Sequence, residues 1–205
     1  WVTEVIRPEA IHKYYHSCNN TELALNYVLE KQEVLSPDRA RILKSTTTDW
    51  GLFGEKFERH LNNHKQLSPY RTRPTKETVV VRPKNGRLLD VYTTKYTQHN
   101  EFSQPTVIIE TSPNGKKKYT RQGYRSNQSD WYINLPTTTE ISSNVTDYTQ
   151  VAETTYHSAA QGEMPYEQKR FDVWQERYDE YHSNGQLKKL SRNTSLKDSN
   201  GNTSP

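Results

Sequence analysis

Two histidine pairs set four residues apart, His12 with His16 and His60 with His64, are the arrangement in this sequence closest to a chemical site. On a helix, residues at that spacing share a face, and neutral imidazoles there can hold a divalent metal through their ring nitrogens. Two such helices side by side would offer four nitrogens, and Glu9, three residues before His12, could add a carboxylate. Neither pair carries the H-E-x-x-H glutamate of a metallohydrolase, so a metal-dependent enzyme ranks behind the binding roles below and no metal is expected.

Charge is the second signal. From Arg71 to Arg125 there are twelve Lys and Arg against four acids, Glu77, Asp90, Glu101 and Glu110, which leaves +8 in a chain whose total is +4. Arg82, Lys84 and Arg87 flank the Asn85-Gly86 pair, while Lys116, Lys117 and Lys118 follow Asn114-Gly115, with Arg121 close behind. If both pairs turn hairpins, two neighbouring tips present one positive patch. These seven cations are the expected partner-binding residues, and a protein or another anionic partner is expected ahead of nucleic acid. Nucleic acid is the alternative because Tyr70, Tyr92, Tyr96, Phe102, Tyr119 and Tyr124 interleave the cations and could stack bases. A plainer use of the same charge is to discourage edge-to-edge sheet pairing.

Catalytic constellations are missing from the sequence. No G-x-S-x-G elbow, phosphate loop or dinucleotide fingerprint occurs, and 8 Gly are few for building a phosphate cradle. Glu153, His157 and Glu163 lie near one another without a catalytic spacing. The reading is therefore of a binding protein before an enzyme, with no cofactor. Cys18 is the sole cysteine, so an internal disulfide is impossible.

What must position these residues changes along the chain. Residues 1–68 read as helical. Pro8 suits the first turn of a helix carrying Ile11, Tyr14 and Tyr15; Leu25, Val28, Leu29 and Leu35 form an apolar stripe after Thr21; Ser36-Pro37-Asp38 offers a cap, a first-turn proline and an acid for the dipole; and Leu52, Phe53, Phe57 and Leu61 follow. From Glu77 the pattern turns to period two with β-branched residues, and residues 69–190 read as antiparallel hairpins. The Thr- and Ser-rich run from Pro136 to Thr155 is read as strands because Ile141, Val145 and Tyr148 recur in it. The tail from Ser191 to Pro205 has one Leu and no aromatic and is expected to be disordered. The predicted class is α+β, a helical N-terminal part packed on an antiparallel sheet.

The segment Tyr178 to Leu190 centres on Asn184-Gly185, whose residue types suit a two-residue turn with positive φ at both positions. That places Ser183 opposite Gln186 and His182 opposite Leu187. An aromatic strand, an N-G turn and a Q-L-K strand resemble the MORN-like repeat of bacterial exported lipoproteins and antitoxin-type proteins. The resemblance implies a binding or structural β-hairpin and no chemistry. One copy fits; the other N-G pairs follow at irregular spacings.

Composition sets the remaining limits. Leu, Ile, Val and Phe supply only 37 of 205 residues, but 14 Tyr and 4 Trp add buried area of roughly 150–250 Å² each. No apolar run approaches the roughly 18 residues of a membrane helix. A chain that starts at Trp1 and whose sole Met is Met164 is expected to be a trimmed product, with any signal peptide or anchor removed. Five Asn-x-Ser/Thr sequons occur, at Asn19, Asn127, Asn144, Asn193 and Asn202, and chance, which produces about three, explains most of them. The sequence-based expectation is an exported bacterial binding or assembly module, periplasmic or at the cell surface.

Overall fold

The computed structural model describes residues 1–18, 28–53, 72–82, 89–130, 132–158 and 162–193, with the backbone alone for 58–61, 64–67 and 71. It divides into two units, Trp1–Lys118 and Tyr119–Pro205. In the first, β1 (Val2–Ile6), β2 (Ile11–His16), β3 (Leu29–Leu35), β4 (Ile42–Phe53), β7 (Arg71–Val81), β8 (Asp90–His99) and β9 (Pro105–Thr111) pair in that order, while β5 (Glu58–Leu61) and β6 (His64–Leu67) form a separate two-stranded ladder. The second unit runs β10 (Lys117–Asn127, its first two residues belonging to the first unit), β11 (Tyr132–Ser142), β12 (Thr149–Tyr156), β13 (Pro165–Arg170), β14 (Val173–Tyr181) and β15 (Leu187–Arg192), again in chain order. Within each unit the neighbouring strands are antiparallel.

No described residue is helical, so the α+β class and the helical N-terminal part are overturned. The misread signals have a common cause. Proline locks φ near −65°, which serves the first turn of a helix and position i+1 of a β-turn equally. Pro8 sits in the β1–β2 turn, where Arg7 and Ala10 exchange backbone hydrogen bonds at 3.0 and 3.3 Å. Pro37 follows Ser36 in the β3–β4 turn, where the Arg39 N–H donates to the Ser36 carbonyl at 2.8 Å and Arg39 takes φ +60°. The Asp38 carboxylate accepts from the Ala40 N–H at 3.1 Å, so the expected cap closes a hairpin. Leu29 and Leu35 lie on β3; the earlier part of their expected helix, 19–27, falls outside the described residues, as do Phe57 and the tail beyond 193. Ser191 and Arg192 complete β15, and the Asn193 N–H donates to the Gln175 carbonyl at 2.9 Å, so the described start of the tail is ordered.

From Thr72 onward the strand reading holds, including β11 and β12 through the Thr-rich run. Pro74 is accommodated where β4 and β7 slip register between Asp49 and Trp50, and Pro136 beside a slip at Gly123/Tyr124. Burial is thin. Among the described residues the buried apolar side chains are Ala10, Ile11 and Leu35, and no large side chain is fully enclosed. Trp1, Ile6 and Phe171 are 64%, 68% and 67% exposed. Cross-strand pairs, at about 0.2–1 kcal/mol each, therefore carry much of the stability. Several are ionic: Glu33 on β3 accepts from the Tyr15 hydroxyl and the Lys31 ammonium, both at 2.6 Å. Burial alone would raise its pKa, but those hydrogen bonds outweigh it and hold Glu33 below the usual carboxylate range.

Three connections share one geometry. At 100–104, 112–116 and 182–186 the first residue's N–H donates to the carbonyl four residues on, and the fourth residue's N–H donates back to the first carbonyl. That fourth residue, Ser103, Gly115 or Gly185, has φ of +73°, +80° or +81°. These are three-residue loops with a bulge, in which a type I turn is followed by one left-handed residue. The two-residue turn expected at Asn184-Gly185 is thereby corrected: His182 pairs with Gln186, and Tyr181 with Leu187. Asn184 keeps negative φ because its side-chain oxygen accepts the Gln186 N–H at 3.1 Å, which serves the loop without a second left-handed residue. A two-residue turn with positive φ at both positions does occur, at Phe171-Asp172, where φ is +49° and +62°.

Candidate functional site

The connections β7–β8 and β9–β10 leave the same end of the first unit's sheet, since β8 separates β7 from β9 and the chain reverses at each strand. Arg82 is therefore brought to the same end as Lys116, Lys117 and Lys118. Its N–H donates to the Leu43 carbonyl at 3.0 Å and its Nε to the Ile42 carbonyl at 3.3 Å, which ties its side chain toward β4. Lys84 and Arg87 lie outside the described residues. The three lysines line a slot of about 290 Å³ whose other walls are Tyr92, Thr93, Thr94, Glu110, Thr111 and Ser112. Lys118 is neutralised by Glu110 at 2.6 Å, whereas Lys116 and Lys117 have no acidic partner. Arg121 belongs to the second unit, where its guanidinium lies 3.7 Å from the Tyr148 ring centre.

The helix faces that would let the histidines share a metal are not formed. His12 and His16 are on β2, where four residues of extended chain separate them by about 13 Å. His60 and His64 are on β5 and β6, described in backbone only. Among the described residues no three His, Cys, Asp or Glu side chains gather as metal ligands.

A second site lies at the loops of the other unit and was not anticipated from the sequence. His157, residues 162–164 and loop 182–186, with the start of β11, border a cavity of about 660 Å³ lined by Tyr132, His157, Gly162, Met164 and residues 179–185. Loop contact is close: a Cβ on Gly185 would stand 3.0 Å from the Met164 Cε, and one on Gly162 would stand 3.5 Å from the Tyr132 hydroxyl. His157 packs edge-on against Tyr166 and Tyr181, ring centres 5.0 and 5.8 Å away. Its Nε2 is 2.9 Å from the Tyr178 carbonyl. A carbonyl oxygen only accepts, so Nε2 carries a proton, and the tautomer that does so leaves its lone pair on Nδ1. The Tyr181 hydroxyl donates to the Pro165 carbonyl at 2.8 Å, fixing that ring, and burial raises the pKa of its phenol.

Beside the cavity, Glu163 is almost wholly buried at φ +47°; its Oε1 accepts from Arg125 Nη2 at 3.1 Å and Asn127 Nδ2 at 3.0 Å. Arg125 thus neutralises an acid whose burial alone would be costly. The only sequence hint of this site was the nearness of His157 to Glu163, since Tyr132 and His182 are distant in the chain.

No family model matches this chain, and no curated protein matches it. Among solved structures, a chain of the one described as "Crystal Structure of TcdB2-TccC3-Cdc42" superposes on 70% of this chain with a TM-score of 0.51 and 7% identity. The likeness is one of fold alone. This chain spans a tenth of that chain's length, with 10% covered.

Proposed function

We propose that the chain is a binding or assembly module that engages an acidic protein surface through the cationic end of its first unit. The observation that carries this reading is the pair Lys116 and Lys117, unmatched by acids, on a hairpin tip that borders a slot and shares its end of the sheet with Arg82. One further feature supports it. The fold likeness is to a small part of a much longer chain, in a structure whose description joins three named components.

Nucleic acid is the weaker reading because stacking needs open ring faces. Of the described aromatics in the basic segment, Tyr92 is exposed, at 44%, while Tyr96, Phe102, Tyr119 and Tyr124 are half-buried. The test compares polyglutamate with a single-stranded oligonucleotide of equal charge as ligands for the wild-type chain and for Lys116→Glu/Lys117→Glu. Polyglutamate should bind with a steep salt dependence that the double reversal flattens, weakening affinity at least about tenfold, while each exposed substitution changes stability by less than about 0.5 kcal/mol. Preferential binding of the oligonucleotide, or affinity unmoved by the reversal, would overturn the assignment.

A further inference from the structure

The cavity of the second unit presents polar groups with no partner in the protein. Tyr132, His182 and Ser183 make no side-chain hydrogen bond, the lone pair of His157 Nδ1 is unused, Asp179 Oδ1 is open, and Asn184 engages only its oxygen. Two of these are pure acceptors, Asn184 Nδ2 is a pure donor, and the hydroxyls and the neutral His182 ring can do either. A guest that satisfies such a set needs groups that donate and accept from one atom, which is the property of a hydroxyl.

Charge argues the same way. Glu180 is paired with Lys188 at 2.7 Å and Asp179 lies 3.9 Å from Lys189 Nζ, so each acid on the rim already faces a cation. The cavity therefore offers little net attraction to a charged guest. Its walls include the fixed Tyr181 ring and the Met164 methyl, surfaces suited to the C–H face of a ring. The volume of about 660 Å³ falls within the roughly 300–1,000 Å³ of small-molecule sites. We propose that this cavity is a binding site for a neutral saccharide ring, with hydroxyls toward Asp179, His157, Asn184, Tyr132 and His182 and one C–H face toward Tyr181.

The experiment is an amide-detected NMR titration of the full chain with the methyl glycosides of glucose, galactose, mannose and N-acetylglucosamine, and with glucosamine and glucuronate as charged counterparts. At least one neutral glycoside should shift the amides of 162–164 and 182–185 saturably in the millimolar range. Tyr132→Phe and His182→Ala, which remove groups without partners and should keep the wild-type unfolding midpoint, should each weaken that binding about two- to tenfold, the worth of one hydrogen bond. The proposal is overturned if no neutral glycoside shifts those amides, if a charged counterpart binds more than about tenfold tighter than its neutral parent, or if both variants bind as the wild type does.

Discussion

Glu167 on β13 and Arg177 on β14 stand directly opposite each other and form a hydrogen-bonded ion pair across the ladder. Lys169 approaches the same carboxylate at 3.4 Å and bridges to Glu153 at 3.3 Å, while the Arg177 guanidinium lies 4.8 Å from the Trp174 ring centre. Glu167 is buried and its cations are partly exposed, so an acid in a thin sheet is held by charge where a thicker protein would use a packed core.

The hydrogen bond from Arg177 holds the Glu167 carboxyl below its ordinary value, against the opposing effect of burial. A carboxylate with a depressed folded pKa stabilises the fold above its unfolded pKa and loses that contribution as pH falls through the folded value. Glu167→Gln should cost about 1.5–3 kcal/mol at neutral pH, the range for a hydrogen bond to a charged group, and the difference from wild type should shrink below about pH 4. Urea midpoints measured from pH 3 to 7 check this: coincident curves would show that the ion pair contributes nothing, and a constant offset that its contribution does not depend on the Glu167 charge.

His99 gives a second handle on pH, of the same sign but in a higher pH window. Burial, then the nearby Arg73 charge, push its imidazole below the ordinary value despite a hydrogen bond with the Pro74 carbonyl. Its ring also packs on Phe53 at 5.5 Å. The unfolded chain therefore binds the proton first, and stability should decline as pH drops from about 6.5 toward the lower folded value. His99→Gln should flatten that part of the thermal-melt profile between about pH 7 and 5.

At the Phe171-Asp172 turn, both residues are left-handed without being glycine. A bulky side chain there costs about 1–2 kcal/mol, whereas asparagine tolerates the conformation. Phe171→Asn should raise the unfolding free energy by about 0.5–1 kcal/mol. A loss of stability would mean that the exposed ring makes contacts worth more than the strain.

Gly185, at φ +81°, has the Met164 methyl only 3.0 Å from where a Cβ would stand. Gly185→Ala should cost at least about 1 kcal/mol, and Gly115→Ala somewhat less, because nothing lies within 4 Å of that position. Equal losses at the two sites would argue that backbone conformation alone, without the Met164 contact, sets the cost.

Local chemistry was legible wherever it had one structural outcome. The N-G pairs at 114–115 and 184–185 mark hairpins because a left-handed residue is needed there and glycine supplies it at no steric cost. The β-branched runs from Thr78 onward read correctly as strands for a similar reason. Whether the loop at 184–185 held two residues or three depended on the register of β14 and β15, which the bulges around Asp179 and Lys188 set across the ladder. Between Trp1 and Leu67 the local signals had two outcomes. Pro8 and Ser36-Pro37-Asp38 fit a helix start or a hairpin turn alike, and the i, i+4 histidines fit a helix face or one face of a strand. Pairing decided: β2 lies between β1 and β3, and β4 against β7, so backbone groups that a helix would satisfy within itself are satisfied by strands up to about 40 residues away. The cavity was hidden for the same reason, because Tyr132, His157 and His182 become neighbours only when three loops leave one end of a sheet. Turn positions are short-range properties of φ, whereas which strands pair, and therefore which side chains meet, is a long-range property that a single sequence carries only diffusely.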